Sequence, residues 1–286
     1  MQKAAAQLSL AAAATSAAGP EVASVRSWGR LAGFAFGLGV QALFVVTVVY
    51  LYAFLRWGVA APDAAWITTD LLLALQFAVP HSVLLHPWFR SLFKRRFPAE
   101  LHGAFFCLWT CLSLLLLFGC WRSSAGVLWE LEGLPATVMV SCFHGSWAAL
   151  LYSISLTGLG YQTGLTQWSH WYRGVPAARR EFQARSLYRL LRHPVYLSFL
   201  GLIWFTPVMT FDHAVLTGVW TIYIFIGSIL KDERLRYYLG ESYAGYMSQV
   251  AGYPGIFMGP LGRRARQRQP VAAELSTDVS RAARAA

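Results

Sequence analysis

The residues best equipped for chemistry stand in two short clusters. The first is Arg192-His193-Pro194-x-Tyr196: a fixed cation, an imidazole and a helix-starting proline, placed where an apolar run begins. The second is Lys231-Asp232-Glu233-Arg234, followed by Leu239-Gly240-Glu241-x-Tyr243-x-x-Tyr246. Tyr243 and Tyr246 share one face at helical i,i+3 spacing. Ionisable side chains are costly against hydrocarbon unless they sit at its edge or face a polar cavity, so each is a functional candidate. Plainer duties are open as well. Arg192 would serve as an interfacial anchor, His193 as a helix cap, and Pro194 as a first-turn residue whose missing N–H costs nothing. Asp232 and Glu233 would pair with Arg234 and Arg236. The apolar stretch between the clusters is expected to fold as a hairpin that returns the second to the face of the first. Both would then line the rim of one polar pocket.

The elements that must position these residues are membrane spans. The 286 residues are 56% hydrophobic and only 13% charged, with twelve Trp, against roughly 25% charged in a soluble domain. Mean hydropathy is +0.45. Runs near the ~20 residues needed to cross a bilayer are Gly33 to Leu55, Ala65 to Leu85 (interrupted by Asp70 and His81), Ala104 to Trp121 and Ala136 to Thr157. Two shorter runs, Val195 to Phe211 and His213 to Leu230, are parted only by Asp212, with Pro207 marking a bend. The expected fold class is an all-α integral membrane protein of about six transmembrane helices, four plus a C-terminal helical hairpin, with both termini cytoplasmic.

The net charge of +11 suggests nucleic acid until its positions are read. Of the 24 Lys and Arg, all but Arg56 and Arg122 fall before span one, between spans two and three, between four and five, or after six. That is the positive-inside pattern, so the basicity is topological and no nucleic-acid partner is expected. Cysteines 107, 111, 120 and 142 lie within spans and read as small buried hydrophobes, with no metal expected. No GxSxG, HExxH or GxxxxGK[ST] occurs, which leaves the common hydrolase, zincin and P-loop readings without support. The organisation read from the chain is a disordered cytoplasmic tail over 1–32, a four-helix region over 33–157, a catalytic half over 158–258 and a basic disordered tail over 259–286.

The ordered pattern Arg192-His193-Pro194-x-Tyr196, apolar hairpin, acidic cluster and Gly240-x-x-Tyr243-x-x-Tyr246 resembles the isoprenylcysteine carboxyl methyltransferase superfamily. That group also holds phospholipid methyltransferases and NnrU-like proteins. The resemblance covers about Leu187 to Gly255. A second stretch, "QFAVPHSVLLHPWFRSLFKRRFP", is similar to the NnrU and methanethiol S-methyltransferase branch. The resemblance implies S-adenosylmethionine (SAM) as methyl donor and a small thiol such as methanethiol as acceptor, converted to dimethyl sulfide. It further implies cofactor binding by Arg192, His193, Pro194, Tyr196, Asp232, Gly240, Tyr243 and Tyr246, with Arg192 on the SAM carboxylate and tyrosine rings facing adenine or sulfonium. Family members usually carry two adjacent acids eight and nine positions before the glycine. Here those positions are Asp232 and Lys231, with Glu233 one residue on. One residue turns a helical side chain by ~100°, which favours Asp232 over Glu233 among the two as catalytic acids.

A thiol must become a thiolate before it attacks. His81, between Pro80 and Ser82 near the cytoplasmic end of span two, is the expected base or orienter, with His144 a second candidate. Gln162, Gln167 and His170 of the following loop are placed loosely on the cofactor or substrate side. A lipid-soluble acceptor would enter from the bilayer, so membrane lipids are expected partners. The expected location is the bacterial inner membrane, with the site at the cytoplasmic face. Other readings within reach are an isoprenylcysteine carboxyl or phospholipid methyltransferase and a non-catalytic NnrU-like protein. A further one is an NADPH-dependent sterol-type reductase using the four basic residues from Arg179 to Arg189.

Overall fold

Apolar runs of about 20 residues satisfy their own backbone in lipid only by coiling, and the computed structural model of the chain is built on such helices. It describes residues 20–59, 62–175 and 183–264. In order these form α1 (Pro20–Trp57), α2 (Trp66–Leu85), α3 (Pro87–Phe93), a 3-10 turn (Ala99–Leu101), α4 (His102–Cys120), β1 (Val127–Glu130), α5 (Gly133–Thr157), α6 (Leu159–Gln162) and α7 (Leu165–Arg173). Then follow α8 (Leu187–Leu190), α9 (Pro194–Trp204), β2 (Val208–Thr210), α10 (Phe211–Leu239) and α11 (Glu241–Gln249). Among the described residues five helical stretches are long and apolar enough to cross a bilayer: Leu31–Trp57, Trp66–Leu85, Ala99–Cys120, Gly133–Thr157 and Phe211–Leu239. Helix α1 begins at Pro20, inside the segment expected as a tail, while 1–19 lie outside the described residues.

The expected fifth span needs correction. Where one helix from Val195 to Phe211 was anticipated, α9 has only 11 residues, about 16 Å at 1.5 Å each. Pro207 lacks an N–H to continue the helix, and its carbonyl instead accepts from Leu131 N at 2.9 Å. Strand β2 then pairs antiparallel with β1, matching Val127 to Thr210 and Glu130 to Val208. The sixth run also differs, because α10 continues past Leu230 and carries Lys231, Asp232 and Glu233 on the helix itself.

The described chain divides into two compact units. The first holds 20–132, 157–175 and 206–219. In it α4 packs on both α1 and α2, and Val40, Cys107 and Cys111 form a buried cluster with Phe36, Leu43, Phe44 and Leu108. Helix α7 docks on α1 because Gly37 leaves room for an indole: a Cβ there would lie 2.2 Å from the Trp168 ring. Trp168 Nε1 donates to Gly33 O at 2.6 Å. After α4 the chain is held by two buried carboxylates. Asp70 accepts from Arg122 N at 3.0 Å, and Asp212 accepts from Trp121 Nε1 at 3.1 Å and Ser124 N at 2.9 Å.

The second unit holds 133–156, 183–205 and 220–264. Gly201 of α9 brings it against α5, where a Cβ would meet Ser146 Oγ at 2.2 Å. Trp204 Nε1 of α9 donates to Thr221 Oγ1 of α10 at 3.0 Å, and Tyr188 OH of α8 donates to Ser153 O of α5. All the residues of the two sequence clusters fall in this unit.

Candidate active site

Pro194 opens α9 at its first turn, which leaves Arg192 and His193 in non-helical backbone just ahead of it. Their N–H groups donate to Ala251 O at 2.9 Å and Gly252 O at 3.3 Å. The motif is thereby fastened to the chain that follows α11. On α10, Asp232 is fully buried and serves as the hub. Its Oδ2 lies 3.2 Å from Arg192 Nη2 and 3.2 Å from His193 Nε2, and its Oδ1 accepts from Tyr243 OH at 2.6 Å. The start of α9 and the last third of α10 do meet.

Arg192 is placed differently from the expectation. It is 1% exposed, and its guanidinium donates to Met247 O at 3.5 Å, Pro260 O at 3.2 Å and Gly262 O at 3.0 Å, besides Asp232. It rivets residues 250–264 over the cluster rather than presenting a free fork. Pro260 and Gly262 belong to the stretch expected to begin a tail; 265–286 lie outside the described residues. Gly252 permits the closure, because a Cβ there would meet Leu261 O at 2.6 Å and His193 Cδ2 at 3.1 Å.

His193 is neutral. Burial pulls its pKa below the ordinary value, and Lys231 and Arg192 oppose a third charge, although Asp232 pulls the other way. A neutral ring that donates from Nε2 to a carboxylate bears its lone pair on Nδ1. That Nδ1, and Nε of Arg192, are buried without a hydrogen-bond partner among the described residues. The ring lies in a row of aromatics, 5.6 Å from Tyr196 and 5.5 Å from Tyr253. Tyr253 OH contacts Ser228 Oγ. Burial, then Asp232, pushes the Tyr243 phenol well above its usual range, so it remains a donor.

The other expected site residues are divided between the two units. Glu233 points elsewhere, to Arg236 at 2.8 Å and to Arg264, as the ~100° step from Asp232 requires. Tyr246 OH donates to Tyr188 O, with its ring 5.5 Å from Tyr243. Gly240, at φ +58°, makes the turn between α10 and α11. His81 belongs to the first unit. Its Nδ1 lies 3.3 Å from Thr110 Oγ1, which itself donates to Phe106 O at 2.9 Å. Thr110 thus links the His81 ring to the backbone of α4. His144 is exposed on α5. In the first unit Gln167 donates to Tyr161 O and His170 Nδ1 lies 2.7 Å from Thr166 O, so both serve the α6–α7 region. Arg179 and Arg180 lie outside the described residues, while Arg185 and Arg189 bond Gln183 and Ala184. Sequence reasoning passed over Gly252 and Tyr253, and gave Lys231 no role of its own. The "GYPG" turn was a legible signal for the first two; Lys231 registered only as an acid out of place.

Five apolar helices of membrane-crossing length, and a buried Arg-Asp-His-Tyr cluster within the second unit, define an integral membrane protein with a charged internal site. Similarity narrows the class. The chain is 33% identical over 245 residues to methanethiol S-methyltransferase 1 of Bradyrhizobium diazoefficiens, covering 82% of this chain and 85% of that one. It is 32% identical over 233 residues to methanethiol S-methyltransferase of a Pseudomonas species, covering 78% and 89%. Nurim of Rattus norvegicus is 30% identical over 182 residues, covering 60% and 68%. No family model and no solved structure matches. The chain belongs to the methanethiol S-methyltransferase family and is a methyltransferase.

Proposed function

We propose that the chain methylates a small thiol such as methanethiol to dimethyl sulfide, with SAM as the donor and the site at the cytoplasmic face of the membrane. The observation that carries this reading is the pair of buried, unpartnered polar atoms, His193 Nδ1 and Arg192 Nε, at the closed end of the α9–α10 pair. Buried polar groups are nearly always satisfied, so an orphan acceptor beside an orphan donor calls for a polar ligand. An amino-acid nucleoside offers both complements. When bound, SAM supplies an electrophilic methyl on a positively charged sulfur.

The chain's own residues divide the remaining work. Asp232 fixes the tautomer and direction of the His193 ring, and Tyr196 offers a ring face. Arg192, Tyr243, Tyr246 and Gly240 hold α11 and the covering strap in register, which makes them positioning residues. The strap excludes water, and the fixed cluster supplies orientation, which is most of what a displacement needs. The thiol must lose its proton to become the nucleophile, and His81 is the residue proposed to take it. Asp232 and Glu233 have no direct part in that proton transfer, since their oxygens serve His193, Tyr243 and three arginines.

Gas chromatography of headspace over purified protein, SAM and methanethiol tests the reading. Dimethyl sulfide is expected from the wild type. His81→Asn is expected to reduce turnover about 100-fold, the low end for general base catalysis, while SAM affinity stays near normal. A wild type that makes no product rejects the function. Equal turnover by the variant returns His81 to a helix contact with Thr110.

A further inference from the structure

Lys231 of the second cluster lies next to the hub residue, and its charge has no use in the contacts described above. It sits one position before Asp232 on α10, so its side chain leaves the helix about 100° away from the hub. Its Nζ rests over the Tyr196 ring, 5.0 Å from the centroid. Among the described residues no carboxylate lies within ion-pair distance of it. A partly buried lysine with three donors, held on an aromatic face in an apolar helix, carries a charge with no carboxylate of its own in direct contact.

The neighbours of that ammonium give it a purpose. Tyr196 lies next to both Lys231 and His193, whose buried Nδ1 is an unpartnered acceptor. A cation and a bare acceptor beside one aromatic ring match the two ends of a zwitterion, carboxylate to the first and ammonium to the second. Arg192, first expected to bind the donor's carboxylate as a two-pronged fork, has both terminal nitrogens engaged by Asp232 and three backbone carbonyls and keeps only Nε unpartnered. We infer that Lys231 holds the carboxylate at the amino-acid end of the methyl donor, and that Tyr196 keeps the ammonium aimed there when the donor is absent. The inference rests on SAM being the donor.

Calorimetric titration of the detergent-purified full chain, without thiol, separates the two ideas. The probes are SAM and decarboxylated SAM, which differ only in the carboxylate. The wild type is expected to prefer SAM by roughly 10- to 100-fold, the value of one charged hydrogen bond. Lys231→Met should erase that preference by weakening SAM alone, and Lys231→Arg should retain most of it. Arg234→Gln, which removes the next cation along α10, should leave the preference intact. Equal affinity of the wild type for both probes overturns the inference. So does an equal loss on both probes in Lys231→Met, or a preference that disappears with Arg234 instead. A wild type that binds neither probe overturns the donor assignment itself. Should Lys231→Met not fold, the wild-type and Lys231→Arg titrations still decide the matter.

Discussion

At the residue scale the cluster is a charge-balanced unit: one guanidinium, one carboxylate, one neutral imidazole and one phenol, all at least 99% buried. Removing one partner of such a set leaves an uncompensated charge, typically at a cost of about 3–5 kcal/mol. Residue types revealed the cluster's membership in advance but not its division of labour. Nothing local to Arg192 shows that its donors are taken by carbonyls 55 to 70 positions later. The neutral state of His193 makes a pH prediction. Its folded pKa lies below the ordinary value, whereas the unfolded chain titrates near ~6.5. Above that pH both states are neutral at this residue and its contribution to stability is complete. As pH falls below it, only the unfolded state takes the proton, and stability declines by up to ~1.4 kcal/mol per pH unit until the folded ring titrates. Unfolding in detergent at pH 7.5 and 5.5 should show a smaller pH loss in His193→Gln than in the wild type. Identical losses would remove the claim that His193 is buried uncharged.

At the element scale, hydropathy located every long helix and misjudged the α9 region. Counting apolar residues cannot separate a helix from the extended "FTPVMT" stretch, since both are apolar and the strand's partner, β1, lies some eighty positions earlier. The strap over residues 250–264 was equally hidden, because its anchors are backbone carbonyls that any residue supplies. Its weak point is legible in the structure. Gly252 donates to Leu261 O at 2.7 Å, and a Cβ would intrude on that same oxygen. Gly252→Ala should cost about 1–3 kcal/mol, as other overpacked sites do, and should speed tryptic cleavage at Arg263 and Arg264. Gly245→Ala is the control. It lies in α11 with nothing within 4 Å of the added methyl, and alanine favours helix over glycine by ~1 kcal/mol, so cleavage should not accelerate. Equal cleavage in both variants would show that the strap does not depend on the close approach.

At the scale of the whole molecule, the number of crossings decides where the site faces. Five long helices with no other crossing would leave Glu241, after α10, on the opposite side from Arg95, between α2 and α4. The strand pairing argues otherwise. Strand β1 lies between α4 and α5, so α5 carries the chain away from β1's face, and β2 can pair with β1 only if the chain returns. Between α5 and β2 lie α9, about 16 Å long, and a non-helical stretch that ends in the strand Val208–Thr210. The hydrocarbon to be crossed is ~30 Å. Non-helical backbone is tolerated at such depth only inside protein, and here Thr206 and Met209 are buried and the strand is bonded to β1. A crossing made by the broken span is the reading that agrees with the positive-inside expectation. In a cysteine-free background, Arg95→Cys and Glu241→Cys should react with a membrane-impermeant maleimide only after cells are permeabilised, and Glu132→Cys should react in intact cells. Labelling of Arg95→Cys and Glu241→Cys from opposite sides would mean that α9 turns back within the membrane and that the Arg192–Asp232 cluster opens away from the cytoplasm.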